Sequence, residues 1–270
     1  EDMATMSLRL AGTAGYWDMG LMYNDTPIRY FRQAAWEPAS NLSGVEMVER
    51  YQNRNTACYR CPIACGRETR APRYGVEKVD GPEYETVGAL GSLVMVDDLE
   101  AVIYAGHLCN VYGLDTISTG VTIALACELF ERGLLDTEAT GGLEIRYGDA
   151  GTVHRLIEMM ARREGIGDLL AEGADRLAAH AGAPGLAATV NGLEVPMHDA
   201  CDFTALTEIY TVQSGDLLSR VAPRYDTTAK LVGLVNGINP DRLQVGQKLK
   251  MVRGPFHAVV TKSDYLLDLY

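Results

Sequence analysis

The sequence predicts a mainly α fold over residues 1–199, then a small α+β unit of βααβ order at 208–252, then a short β tail at 253–270. Three observations predict this. Through most of the first 199 residues, apolar side chains recur at helical spacing, and several of these runs have an Asp, Ser or Thr before them or a Gly after them. Few stretches in that part alternate with period two. Near residue 200 the texture changes, and β-branched, strand-like runs flank two short helical segments.

The elements follow in chain order. Ser43-Gly-Val-Glu46 matches a capping box at the start of a short helix. Asp97 or Asp98 caps a helix through Leu99, Val102, Ile103, Ala105 and Leu108, which Gly113 ends. Thr116 to Arg132 reads as a strongly apolar helix, with Ile117, Val121, Ala124, Leu125, Cys127 and Leu129, stopped before Gly133. Two further helices are expected at Val153–Arg163 and Asp168–His180. A junction at 200–207 carries no Pro/Gly/Ser linker. Beyond it, Tyr210 to Asp216 gives a short strand and a Gly-Asp turn. Leu217–Ala222 and Thr228–Val235 give two helices, Asn236 to Pro240 a turn cluster, and Gln247–Val252 a second strand. Residues 256–262 and 265–270 read as further strands.

Composition narrows the function. The chain has 270 residues, 47% of them hydrophobic and 22% charged, as in globular proteins generally. Its net charge of −12 argues against nucleic acid or an anionic membrane as partner. No run approaches the roughly 20 apolar residues that span a bilayer, and no secretory signal stands at Glu1-Asp2-Met3. The start at Glu1, inside a helical stretch, suggests that further chain precedes it.

Six cysteines are present, at 58, 61, 65, 109, 127 and 201. Three of them form Cys58-Tyr-Arg-Cys61-Pro-Ile-Ala-Cys65, too crowded for a disulfide framework in a chain this large. Loops of two and three residues let three thiolates face one metal centre, and thiolates are the ligands of iron–sulfur clusters. Zinc is an alternative, but it usually takes four Cys/His ligands and no His lies near the run. Thiols with no ligand are the third reading. Cys109 and Cys127 lie on apolar helical faces and read as core thiols.

The surrounding residues extend this. Ala11-Gly-Thr-Ala-Gly15, Cys58 to Gly66, Gly81-Pro-Glu-Tyr-Glu-Thr86, Leu108 to Ser118 and Asn191-Gly-Leu-Glu-Val-Pro-Met-His-Asp199 stand in an order that resembles the aldehyde ferredoxin oxidoreductase family. The resemblance implies that Cys58, Cys61 and Cys65 are three of four ligands to a [4Fe–4S] cluster. It implies a tungsten or molybdenum bis-pterin, with Asn110, Gly113, Leu114 and Asp115 in a pterin-binding motif where Asn replaces the family's first Asp. Glu83 would be the active-site carboxylate, moving a proton in a dry cavity with its pKa raised. The structural alternative for Glu83 is a helix N-terminal carboxylate. For Gly113 and Asp115 it is a helix stop and the next cap. The implied reaction oxidises a small aldehyde to the acid, with ferredoxin taking the electrons, and a cytoplasmic location follows. A homodimer is left open.

The resemblance covers about 1–199. The family's β-rich pterin domain, fourth cluster cysteine and second pterin motif have no counterpart here, and Cys201 sits in unrelated context. The chain is therefore expected not to hold the full cofactor set alone.

The tail resembles something else. Tyr210-Thr-Val-Gln-Ser-Gly-Asp-Leu-Leu218, Leu234-Val-Asn-Gly-Ile-Asn-Pro240 and Gln244-Val-Gly-Gln-Lys-Leu249 are similar to a LysM module. That resemblance implies binding of N-acetylglucosamine glycans such as peptidoglycan, through Ser214, Gly215, Asp216, Leu217, Asn236, Gly237, Ile238 and Asn239. The glycines also serve as turn residues. Residues 253–270 look like the start of an L,D-transpeptidase-like domain whose catalytic motif would lie downstream, so His257 is not read as catalytic. The two halves imply opposite compartments, cytoplasm and cell envelope. A joining of two gene fragments would account for that.

Overall fold

A computed structural model describes residues 2–33, 35–198, 207–225, 228–235, 239, 243–252, 258–261 and 266–269. Chain contacts divide it into two compact units, residues 1–201 and 202–270.

The first unit is built on helices. Asp2 caps α1 (Met3–Ala11), and a 3-10 turn (Gly12–Tyr16) leads into α2 (Trp17–Met22). Ser43 opens α3 (Gly44–Arg50), accepting from the Val45 N–H at 3.1 Å. The expected capping box does not close. Ser43's own N–H goes to Ser40 O, its hydroxyl donates to Asp18, and Glu46 lies beside Arg50 instead.

A three-stranded antiparallel sheet follows: β1 (Gln52–Thr56), β2 (Gly66–Ala71) and β3 (Val76–Asp80), in that order. It was not expected from the sequence. Its central strand does alternate, but the buried positions are Arg67, Thr69 and Ala71, so the alternation is not one of hydrophobicity.

Next come α4 (Tyr84–Leu90), α5 (Leu99–Tyr112) and α6 (Thr116–Glu131). Asp98 and Asp115 cap α5 and α6 by accepting from Ala101 and Ser118 N–H groups, and Gly113 ends α5 at φ +70°. Helix α6 is buried all round, with Val121, Ile123, Ala124, Leu125, Cys127 and Leu129 in the core, which is why it is apolar on every face. Together α5 and α6 are apolar enough to suggest a membrane pair, yet they are bent by 118° and pack into this core. No single described helix is long and apolar enough to cross a membrane.

Helix α7 (Ala150–Arg162) is capped by Asp149. The helix expected at 168–180 is two: α8 (Ile166–Leu170) and α9 (Ala174–His180). Gly173, at φ +89°, breaks the path between them. A two-residue turn at Asn191 (φ +53°) and Gly192 (φ +80°) joins β4 (Thr189–Val190) to β5 (Leu193–Glu194).

In the second unit, β6 (Thr207–Thr211) pairs antiparallel with β7 (Lys248–Val252), and α10 (Leu218–Val221) and α11 (Ala229–Val235) lie between them in sequence. Val212, Leu218, Val221, Ala222, Val232, Leu249 and Met251 form its small core. Strands β8 (Ala258–Thr261) and β9 (Leu266–Leu269) pair with each other. Asn236, Gly237, Ile238, Cys201 and His257 lie outside the described residues.

Candidate active site

The cysteine run forms the loop between β1 and β2. Gly66 lets the strands close at the base of the loop, where a Cβ would lie 2.3 Å from Thr56 Oγ1 and 3.1 Å from Thr56 O. Arg60 and Ala64 take positive φ, 58° and 57°, and the Cys61 N–H bonds Cys58 O at 3.0 Å, so the chain curls. Cys58 is exposed, Cys61 and Cys65 are half-buried, and all three are free thiols. Tyr59 is 88% exposed with the Arg60 guanidinium over its ring.

The buried Arg67 clamps this loop. Its guanidinium donates to Ala64 O and Gly66 O in the loop and to Leu8 O and Arg9 O at the end of α1, all between 2.8 and 3.2 Å. Arg9 adds a bond to Pro62 O at 3.0 Å.

Among the described residues, no group of three His, Cys, Asp or Glu side chains converges as ligands of a single ion would. A cluster spreads its thiolates over separate corners, and three free thiols on one loop suit that donor set. Cys109 and Cys127 do not join them. Both are buried in the core, and burial pushes their thiols up, Cys109 to about 12, away from the thiolate form a metal needs.

Glu83 stands between two cavities. One, of about 280 Å³, is lined by residues that include Asp80, Glu83, Thr86, Asn110, Leu114 and Asp115. It therefore gathers the end of β3, the start of α4 and the α5–α6 turn, and brings Glu83 together with three of the four motif residues. Gly113 shapes the turn but does not line the cavity. Asn110 donates to Asp80 O at 3.1 Å, and Asp115 accepts from Ser118 N at 2.7 Å, so both residues also hold the fold. Oxygen and amide groups around a cavity of this size suit the edge of a polar heterocycle.

The second cavity, of about 340 Å³, is lined by Leu8, Thr13, Tyr16, Glu83, Tyr84, Glu85 and His198. Glu83 occupies the N-cap position of α4, where the helix-terminus alternative expects a carboxylate, although its side chain makes no cap bond. Instead it accepts from the Thr13 hydroxyl, which itself accepts from the Tyr84 N–H at 2.8 Å. Tyr84 is buried, which pushes its phenol well above the ordinary value, and it donates to Met197 O at 2.8 Å. Glu85 accepts from Met197 N at 2.7 Å. His198 lies 2.7 Å by Nδ1 from Asp25 Oδ2 and 3.6 Å by Nε2 from Glu85 Oε1.

Sequence reasoning assigned no role to Tyr16, Asp25, Glu85 or His198. The Pro-Met-His segment carried the family signal, but Asp25 lies 173 positions from its histidine partner, and no local pattern links them.

The family model described as "Aldehyde ferredoxin oxidoreductase, domains 2 & 3" matches residues 1–253. The chain belongs to the aldehyde ferredoxin oxidoreductase family. It is 45% identical over 174 residues to a tungsten-containing aldehyde ferredoxin oxidoreductase of Pyrococcus furiosus, covering 64% of this chain and 28% of that protein. The corresponding Thermococcus kodakarensis protein is 44% identical over 174 residues, with the same coverage. The WOR-like subunit of an aliphatic sulfonate oxidoreductase from Pyrococcus furiosus is 31% identical over 234 residues, covering 81% of this chain and 37% of that one. The chain thus spans less than a third of the length of the two aldehyde ferredoxin oxidoreductases. Its fold is similar to that of the active-site complex BamBC of benzoyl coenzyme A reductase, with a TM-score of 0.55 at 22% identity, over 70% of this chain and 28% of that one. The matched range also includes residues 208–252.

Proposed function

We propose that this chain forms part of a tungsten-dependent aldehyde ferredoxin oxidoreductase. The observation that carries the reading is the position of Glu83 on the wall of both cavities, with Asn110, Leu114 and Asp115 on one side and His198 on the other. The first cavity would take a pterin edge, and the second an aldehyde.

The metal–pterin group, when bound, supplies the two-electron redox chemistry. The chain's residues supply the rest. Cys58, Cys61 and Cys65 would hold a [4Fe–4S] cluster, which when bound would supply single-electron transfer toward a ferredoxin. Oxidation of an aldehyde with water to the acid releases two protons with the two electrons, and Glu83, hydrogen-bonded to Thr13, would carry one of those protons out of the cavity. The test is anaerobic reconstitution of the chain with iron and sulfide. Visible absorbance should appear in the wild type and vanish in Cys58→Ser/Cys61→Ser/Cys65→Ser. Equal absorbance in both would sink the ligand assignment.

A second reading applies to residues 208–252, as a LysM module that binds peptidoglycan. It is supported by the motif order and by the antiparallel pairing of β6 with β7 across two intervening helices. Ser214, Gly215 and Leu217 are exposed in the first loop, where Asp216 accepts from Tyr210 Oη and Gln213 N. Pelleting with insoluble peptidoglycan should require residues 205–270, and binding that survives their deletion rules the reading out.

A further inference from the structure

We propose that Asp25 is a positioning residue that fixes His198 in the tautomer protonated on Nδ1, leaving Nε2 without a proton on the side of Glu85 and the second cavity. The inference rests on the proposed function, in which that cavity takes the substrate.

The placement of Asp25 is built into the chain. After α2 the backbone folds back, with Asp25 N–H and Thr26 N–H both bonding Gly20 O at 2.8 and 3.3 Å. Gly20 leaves room for this fold-back, since a Cβ there would lie 2.4 Å from Thr26 Oγ1, which also bonds Tyr84 Oη. One oxygen of Asp25, Oδ2, then meets two partners, the Tyr16 hydroxyl at 2.9 Å and His198 Nδ1 at 2.7 Å.

A carboxylate only accepts hydrogen bonds. Tyr16 therefore donates its O–H, and the contact with His198 is a bond only when Nδ1 carries the proton. In a neutral ring the other nitrogen, Nε2, then carries only a lone pair; Glu85 Oε1, 3.6 Å from it, accepts but does not donate, so that contact is an ion pair only when the ring takes up a second proton. The half-exposed ring also packs against two tyrosines. Its centroid is 5.2 Å from that of Tyr84 and 5.8 Å from that of Tyr16, and both tyrosines line the same cavity. Tyr84 is itself anchored to Met197 O, the residue before the histidine. A base oriented through its second nitrogen by a carboxylate is the arrangement that readies an imidazole to accept a proton from a ligand.

The test reads the tautomer directly. The full chain, with ¹⁵N-labelled histidine, is measured by long-range ¹H–¹⁵N correlation at alkaline pH, and the His198 signals are identified by their loss in His198→Gln. The wild type should show His198 protonated on Nδ1. Asp25→Ala should shift the proton to Nε2, and Tyr16→Phe should leave it on Nδ1, since the carboxylate remains. An Nε2–H pattern in the wild type overturns the proposal, as does an Nδ1–H pattern that persists in Asp25→Ala. Where Asp25→Ala does not fold, the wild-type pattern decides. Neither cluster nor pterin enters the measurement, so failure of the cofactor assignment and failure of this one are read separately.

Discussion

Thr13 and Glu83 are joined by a hydrogen bond across 70 positions of chain, and the same Thr13 oxygen accepts the Tyr84 N–H at 2.8 Å. One hydroxyl thus ties the turn after α1 to the start of α4 and sets where the Glu83 carboxylate points. Thr13→Val keeps the shape but leaves a partly buried N–H without its acceptor. It should cost about 1–2 kcal/mol in urea unfolding. Thr13→Ser should recover most of that. Equal midpoints for Val and wild type would mean that the bond does not hold the site.

Arg67 links the cysteine loop to α1 through four backbone carbonyls. Burial pulls its pKa down, while Glu83 and Cys65 nearby act in the opposite direction. Its Nε is buried with no hydrogen-bond partner among the described residues. The side chain is therefore costly to bury and is kept for what it binds. A lysine ammonium is a single point and does not span two carbonyls on each of two segments. Arg67→Lys should lower stability by about 3 kcal/mol. It should also speed modification of Cys58, Cys61 and Cys65 by a thiol reagent. Unchanged stability with unchanged modification rates refutes the clamp.

The long helices were legible because their signals are local. Asp98, Asp115 and Gly113 act within one turn of the residues they cap or stop. The sheet was not legible, because β2 buries an arginine and a threonine where an ordinary strand buries apolar side chains, and Arg67 is there for the loop rather than for the sheet. The break between α8 and α9 was missed because the apolar spacing continues past Gly173, while the backbone at φ +89° does not. The Asn191-Gly192 turn carried a recognisable hairpin signal, but two-residue strands leave no alternation beside it. The site divides the same way. Glu83 and the Asn110–Asp115 turn belong to contiguous motifs, whereas Asp25 and Tyr16 reach His198 only through the fold.

Two glycines on helices should respond to alanine with opposite signs. At Gly120 on α6 a Cβ would lie 2.5 Å from Ala89 O, against the backbone of α4, which is itself buried and has no room to retreat. Gly120→Ala should destabilise by about 1–3 kcal/mol through overpacking. At Gly151, exposed in the first turn of α7, the nearest atom is Asp149 Oδ1 at 3.3 Å, which has to give only a few tenths of an ångström and can do so without leaving its cap bond to Thr152 N. Gly151→Ala should stabilise by about 0.5–1 kcal/mol, since alanine restricts the unfolded chain and favours helix. Thermal melts of the two variants check the pair. Equal stability would show that α4 and α6 are less tightly apposed than the geometry requires.

His154 makes stability depend on pH in a defined direction. Its ring meets the stacked pair Tyr74 and Tyr104 edge-on, with centroids 5.2 and 4.9 Å away, and its Nε2 lies 2.9 Å from Ala101 O. Burial lowers its pKa, outweighing Ala101 O, Asp98 and Glu158, which favour the charged ring, while Arg73 adds to the lowering. The unfolded chain therefore binds the proton more readily than the folded one. The associated stability is intact above the ordinary histidine value of about 6.5 and is lost as pH falls through the folded value. His154→Gln still donates to Ala101 O but does not titrate. Between about pH 7.5 and 5.5 the wild-type melting temperature should fall more than that of the variant. The carboxylates and the other histidines contribute alike to both proteins, so the difference between the two slopes belongs to this ring, and parallel slopes would place its proton affinity at the unfolded value.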